Sequence, residues 1–167
     1  MSSSDVLVER FCTALAAVGG APEECAGWDE ALERAAALVG ERPAVIDEHP
    51  DLGDLRERLR TVADPWAAEV GVTGALVAAA DSGTLVLDVA AGRPRRTSLV
   101  PPVHVAVVPH SRLVATYADA VARVALLDPA PSSVHFITGP SRSADIEMQL
   151  VRGVHGPGAV HVLLYPA

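Results

Sequence analysis

Aromatic residues are scarce in this chain: two Phe, two Tyr and two Trp make up 4% of its 167 residues. Large rings cannot fill the core, which must be assembled from the small aliphatic side chains that dominate the composition. Cysteine is equally sparse. Cys12 and Cys25 stand alone, without CxxC spacing or clustered histidines, which argues against a structural disulfide and against zinc or an iron–sulfur cluster held by this chain alone. A basic excess is missing too. The net charge is −8, opposite to the basic face that binds nucleic acid. No apolar run approaches the roughly 20 residues a bilayer requires. The start, Met-Ser-Ser-Ser-Asp, lacks the positive and apolar regions of a signal peptide, so a cytoplasmic location is expected. No Gly-x-Ser-x-Gly elbow, Walker loop or GxGxxG is found, and no nucleophile stands out.

What remains suits one globular domain long enough to bury a core: 50% of residues are apolar and 20% charged. Residues 5–18 carry an apolar stripe at helical spacing that stops at Gly19-Gly20, and Asp29 to Val39 repeats it before Gly40. Pro43–Ile46 reads as a short strand, and Leu52 to Leu59 as a charged amphipathic helix. Residues 75–80 and 84–88 read as two strands around a three-residue hairpin loop, Asp81-Ser82-Gly83. Residues 89–103 form a long connection rich in Gly, Pro and Arg, of the length that is usually functional or disordered. A strand (His104–Val108), a helix (Leu113–Leu127), a second strand-and-helix pair and a final strand (Val160–Tyr165) follow. The order β-α-β-α-β with apolar strands predicts an open α/β sheet, mixed but mostly parallel, with helices on both faces.

The second strand-and-helix pair carries the strongest chemical suggestion. Val134–Ile137 is β-rich, breaks at Thr138-Gly139-Pro140-Ser141 and restarts at helical spacing through Ile146, Leu150 and Val151. Free amides at a helix start make such a junction a natural anion cradle. Gly139, Ser141, Arg142 and Ser143 would form it, completed by Arg95 or Arg96 from the long connection. Equally, any strand-to-helix connection needs a turn and a cap.

Three segments together resemble the LUD domain, the family of lactate utilization protein C. They are Val70-Gly-Val-Thr-Gly-Ala75 with Ala80-Asp-Ser-Gly-Thr-Leu85, then Ser98-Leu-Val-Pro-Pro-Val-His104, then Ile137-Thr-Gly-Pro-Ser-Arg-Ser-Ala-Asp-Ile-Glu147 with Val151-Arg-Gly-Val-His-Gly-Pro157. The match is close over about residues 66–165, while the helical part at 1–42 agrees only in general pattern. The chain departs from the usual pattern at Leu76, where many relatives are acidic, and at Asp81, where Glu is frequent. The resemblance implies a single domain with a fold like that of the phosphosugar isomerases and CoA transferases. It also implies a part in bacterial L-lactate oxidation to pyruvate, without a cofactor on this chain, beside iron–sulfur and cysteine-rich partner proteins.

Several residues therefore become candidates. Thr73-Gly74 permits close backbone approach. Asp81, Ser82, Gly83 and Thr84 offer a carboxylate and hydroxyls, or bond only their own backbone. In a mostly parallel sheet both turns and Thr138–Ser143 are expected at one edge, where α/β folds bind ligands. Arg93, Arg95 and Arg96 are the dense positive charge of an acidic chain, able to meet a phosphate, a carboxylate or an acidic partner, or simply solvated. His155, just past Gly153, suits an acid or base role, or a helix-end bond. His104, His135 and His161 read as structural. Asp145 and Glu147 suit a helix start, with Asp145 able to pair with Arg142. The functional alternatives are a non-metal subunit binding a small anion or a partner, or an independent enzyme acting on a phosphorylated sugar, a folate or a CoA thioester.

Overall fold

Val103–Pro109 alternates side chains between two apolar layers, and the domain is organised around it. A computed structural model describes residues 3–90, 92–144, 150–152 and 156–167. In chain order the elements are α1 (Ser3–Ala17), β1 (Ala21–Glu24), α2 (Trp28–Val39), β2 (Ala44–Ile46), α3 (Leu55–Arg58), β3 (Val70–Thr73), β4 (Val77–Ala79) and β5 (Thr84–Asp88). They continue with α4 (Arg96–Leu99), β6 (Val103–Pro109), β7 (Leu113–Val114), α5 (Tyr117–Ala125), β8 (Val134–Ile137), β9 (Arg142–Ala144), β10 (Leu150–Arg152) and β11 (Ala159–Tyr165). Five strands form one parallel sheet in the order β1-β11-β6-β3-β2. This is the mostly parallel α/β architecture that the strand texture predicts.

Side-chain alternation along β6 separates the layers. Val105 and Val107 join Leu32, Ala35 and Val39 of α2 in one core. Ala106 and Val108 face Val8, Phe11 and Leu15 of α1 in another, together with Ala78 and Leu85 from a second sheet. That sheet runs β7-β4-β5-β8 with antiparallel β4–β5 and β5–β8 pairs. Its far side packs Val77, Ala79 and Val86 against Ala120 of α5. Helix α5 starts in a complete capping box between Thr116 and Asp119, which satisfies two free amide donors.

Four expectations are corrected. The helix expected through Ile146, Leu150 and Val151 does not follow the turn: Arg142–Ala144 and Leu150–Arg152 pair as an antiparallel ribbon. A short apolar run allows either structure, and cross-strand pairing decides it. Asp145 and Glu147 fall outside the described residues. Val134–Ile137 belongs to the mixed second sheet, antiparallel to β5, not to the parallel one. The long connection contains a turn of helix, α4, packed on β3. Finally, the expected helix 113–127 begins only at Tyr117, because Leu113 and Val114 pair with β4.

Candidate functional site

The carboxyl ends of the parallel strands gather ionisable side chains. Asp47 directly follows β2, its amide donating 3.0 Å to Val72 O of β3. Its side chain is only 9% exposed, and Oδ1 finds no hydrogen-bond partner among the described residues. Burial pushes its pKa up to about 6, with the neighbouring Asp88 adding to the rise, while Thr97, Arg93 and Arg56 oppose it.

Two residues on, His49 turns its ring onto the Thr73-Gly74 backbone. A Cβ at Gly74 would stand 2.3 Å from His49 Nδ1. Nδ1 accepts from the Asp51 amide at 3.3 Å and lies 3.4 Å from Asp51 Oδ2. Burial lowers the His49 pKa, and the charges of Arg93 and Arg112 lower it further against Asp51 and Asp88. A neutral ring with Nδ1 accepting carries its proton on Nε2. Tyr165, at the end of β11, is pushed up to about 12 chiefly by burial, with the charge of Asp51 and a hydrogen bond to it adding.

The long connection closes this end. Glu48 N donates to Gly92 O at 2.9 Å, and Gly92 adopts φ +74°. Arg93 Nη2 donates 2.7 Å to Asp88 Oδ2 at the end of β5, and its Nε has no partner among the described residues. A cleft of about 450 Å³ is lined by Asp47, His49, Leu52 and Arg56. A second, of about 370 Å³, is lined by Leu76, Asp88, Arg93 and Pro129. Acceptor and imidazole line the first cleft and the guanidinium the second, with the Arg93 charge bearing on both Asp47 and His49, at the end where open α/β sheets hold ligands.

The opposite end of the sheet is built differently. Ser82 Oγ, Thr84 Oγ1 and Thr138 Oγ1 form a hydroxyl chain at 2.8 and 2.7 Å. Gly83 and Gly139 take φ +63° and +72°, and added Cβ atoms would meet Leu15 N at 2.4 Å and Val18 Cγ2 at 2.8 Å. Arg142 donates to Val18 O, and Ser141 N to Pro157 O at 2.8 Å. Both turns therefore dock the C-terminal end of α1, just ahead of β1.

The family model of the LUD domain matches residues 53–165. The chain belongs to the LUD domain family. It is 41% identical over 119 residues to lactate utilization protein C of Shouchella clausii, covering 70% of this chain and 50% of that one. It is 45% identical over 101 residues to lactate utilization protein C of an Exiguobacterium species, covering 58% and 44%. The chain spans about half the length of the curated relatives it matches. A crystal structure of a DUF162 family protein from Deinococcus radiodurans superposes with a TM-score of 0.73 over 99% of both chains at 22% identity, a likeness of fold.

Within this LUD domain the motif residues separate. Thr73 and Gly74 lie at the carboxyl end, where Thr73 Oγ1 bonds buried His104 Nε2 at 2.8 Å. Ser82, Gly83, Thr84, Thr138, Gly139 and Arg142 meet at the amino end, so the three turns expected at one edge occupy two. The antiparallel course of β5 and β8 carries their turns there. Asp81 accepts 2.9 Å from the Tyr117 amide at the start of α5. Arg95 and Arg96 are exposed, with Arg96 opening α4. Ser143 is in β9, and His155 lies outside the described residues. Sequence reading missed Asp47, His49 and Asp51. Their one signal was position: ionisable residues directly after a strand. Among the described residues no group of three or more His, Cys, Asp or Glu is arranged to hold a metal ion, and no helix is long and apolar enough to cross a membrane.

Proposed function

We propose that this LUD domain serves in lactate utilization by holding a small carboxylate, lactate or pyruvate, at the carboxyl end of its parallel sheet. The observation that carries the reading is Arg93, held over that end by Asp88 and by the Glu48–Gly92 bond. Its guanidinium spends one donor on Asp88 and keeps others for a carboxylate, which it can meet with paired N–H groups. His49 Nε2 adds a donor. Redox chemistry would lie with iron–sulfur and cysteine-rich partner proteins, with this chain as the non-metal subunit. The relatives named lactate utilization protein C support this reading.

Thermal denaturation in lactate, pyruvate and phosphate tests it. A ligand at a hundred times its Kd adds about 2.7 kcal/mol and raises Tm by several degrees. The shift is expected in the unaltered chain and in Arg142→Ala, and lost in Arg93→Gln. A shift lost in Arg142→Ala and kept in Arg93→Gln would move the anion to the Gly139 turn. No shift with any of the three would leave no small-anion site.

A further inference from the structure

Of Arg93, His49 and Asp47, it is Asp47 that responds to whether a ligand carries a hydroxyl or a carbonyl. The guanidinium of Arg93 meets the carboxylate of a 2-hydroxy acid and of a 2-oxo acid alike. The Nε2 proton of His49 can be given to a hydroxyl oxygen or to a ketone oxygen. Asp47 differs: an ionised carboxylate is acceptor-only. It lines the cleft beside His49, is nine-tenths buried, and its Oδ1 makes no hydrogen bond of normal geometry among the described residues, although the nearby Thr97 hydroxyl favours its ionised form. A buried charged acceptor in that state is costly until a donor reaches it. An alcohol supplies one, whereas a ketone presents a second acceptor and meets repulsion.

We propose that Asp47 is the residue by which this site tells a 2-hydroxy acid from the corresponding 2-oxo acid, accepting the hydroxyl hydrogen of the first and turning away the carbonyl oxygen of the second. The proposal rests on the carboxylate-binding reading above. The groups facing Asp47 are Thr97 of α4, Arg93 and Asp88 from the long connection and β5, and Arg56 of α3. Protonated Asp47 becomes a donor and welcomes the ketone, so the discrimination belongs to the ionised form and fades as the solution is acidified.

Calorimetric titration with L-lactate and pyruvate, at pH 7.5 and 5.5, on the unaltered chain and on Asp47→Asn, reads this directly. The unaltered chain should prefer lactate by about tenfold or more at pH 7.5, since a site built to bond a hydroxyl strongly rejects an analogue lacking it. That preference should shrink at pH 5.5. In Asp47→Asn, whose amide both donates and accepts, the two ligands should bind within about twofold at either pH. Equal affinities in the unaltered chain at pH 7.5, or a preference that survives in Asp47→Asn, would overturn the assignment while leaving the carboxylate site standing. The pH arm needs only the unaltered chain, so it decides the matter even if the variant does not fold. Binding of neither ligand to the unaltered chain would remove the carboxylate site and this proposal together.

Discussion

Gly74 is the seat of His49: no side chain larger than hydrogen fits between its α-carbon and the imidazole, since a Cβ there would lie 2.3 Å from Nδ1 and 2.6 Å from Cε1. Gly74→Ala must therefore push the ring out of its place. The expected outcome is a loss of roughly 1–3 kcal/mol, the usual cost of overpacking, together with weakened lactate binding. Denaturant titration and calorimetry check the two parts. Full binding in a stable Gly74→Ala chain would show that the position of His49 does not matter to the ligand.

The turn at the opposite end makes a sharper demand. Gly83→Ala combines a positive φ with a Cβ 2.4 Å from the backbone nitrogen of Leu15. It should cost several kcal/mol from strain and overpacking together. Gly27→Ala is the control. Its Cβ meets nothing within 4 Å, so its cost should stay below about 1 kcal/mol, that of a poorer N-cap. Similar Tm losses in the two variants would refute the docking of α1 on this turn.

Thr84 joins Ser82 and Thr138 through one hydroxyl and is fully buried. Thr84→Val keeps the shape and strands its partners, so a loss on the order of 1–3 kcal/mol is expected. Chemical denaturation measures it, and a neutral result would show that the hydroxyl chain contributes nothing net.

Two buried groups pull the pH dependence of stability in opposite directions. Burial lowers His104 to about 4, so below its ordinary value the unfolded chain binds the proton first. Stability from this residue is complete above pH 6.5 and is lost as pH falls toward 4, on the order of 3 kcal/mol in all. Asp47, raised to about 6, acts with the reverse sign, its cost setting in as pH rises from 3.8 to 6. Relative to the unaltered chain, His104→Asn should therefore gain stability on acidification and Asp47→Asn on alkalinisation. Urea midpoints from pH 4 to 7.5 read both, and parallel curves for all three proteins would contradict the burial of these groups.

The sequence made some of this visible and hid the rest for identifiable reasons. The apolar stripes of α1 and α2 and the two apolar runs at 75–80 and 84–88 are local patterns, and folding turns them into the helices and the hairpin they suggest. The hairpin differs in its first strand, Val77–Ala79 against the expected 75–80, and in its loop, which spans four residues because Ala79 pairs with Thr84. β1 was invisible, since Ala-Pro-Glu-Glu reads as a loop. It is an edge strand whose single partner is β11, a place where proline is tolerated. The Gly139 turn announced an anion cradle because glycine and serine serve ligands and packing equally, and here packing against Val18 claims the glycine. The carboxyl-end cluster had no motif to announce it. Asp47, His49 and Arg93 are brought to the same end of the sheet by parallel pairing and by one backbone bond at Gly92, neither of which leaves a mark in local spacing.

The order of the parallel sheet also governs how this chain comes into being during synthesis. β11, made long after β1, is the one that lies between β1 and β6, and the turns that dock α1 come from residues 80–83 and 138–142. Helix α1 and strand β1 thus emerge with partners still unmade and wait for more than a hundred further residues. Such long-range closure folds slowly and leaves nascent chains open to aggregation. Truncation ahead of Ala159 would yield no smaller domain, only a chain in which β1 has lost its partner.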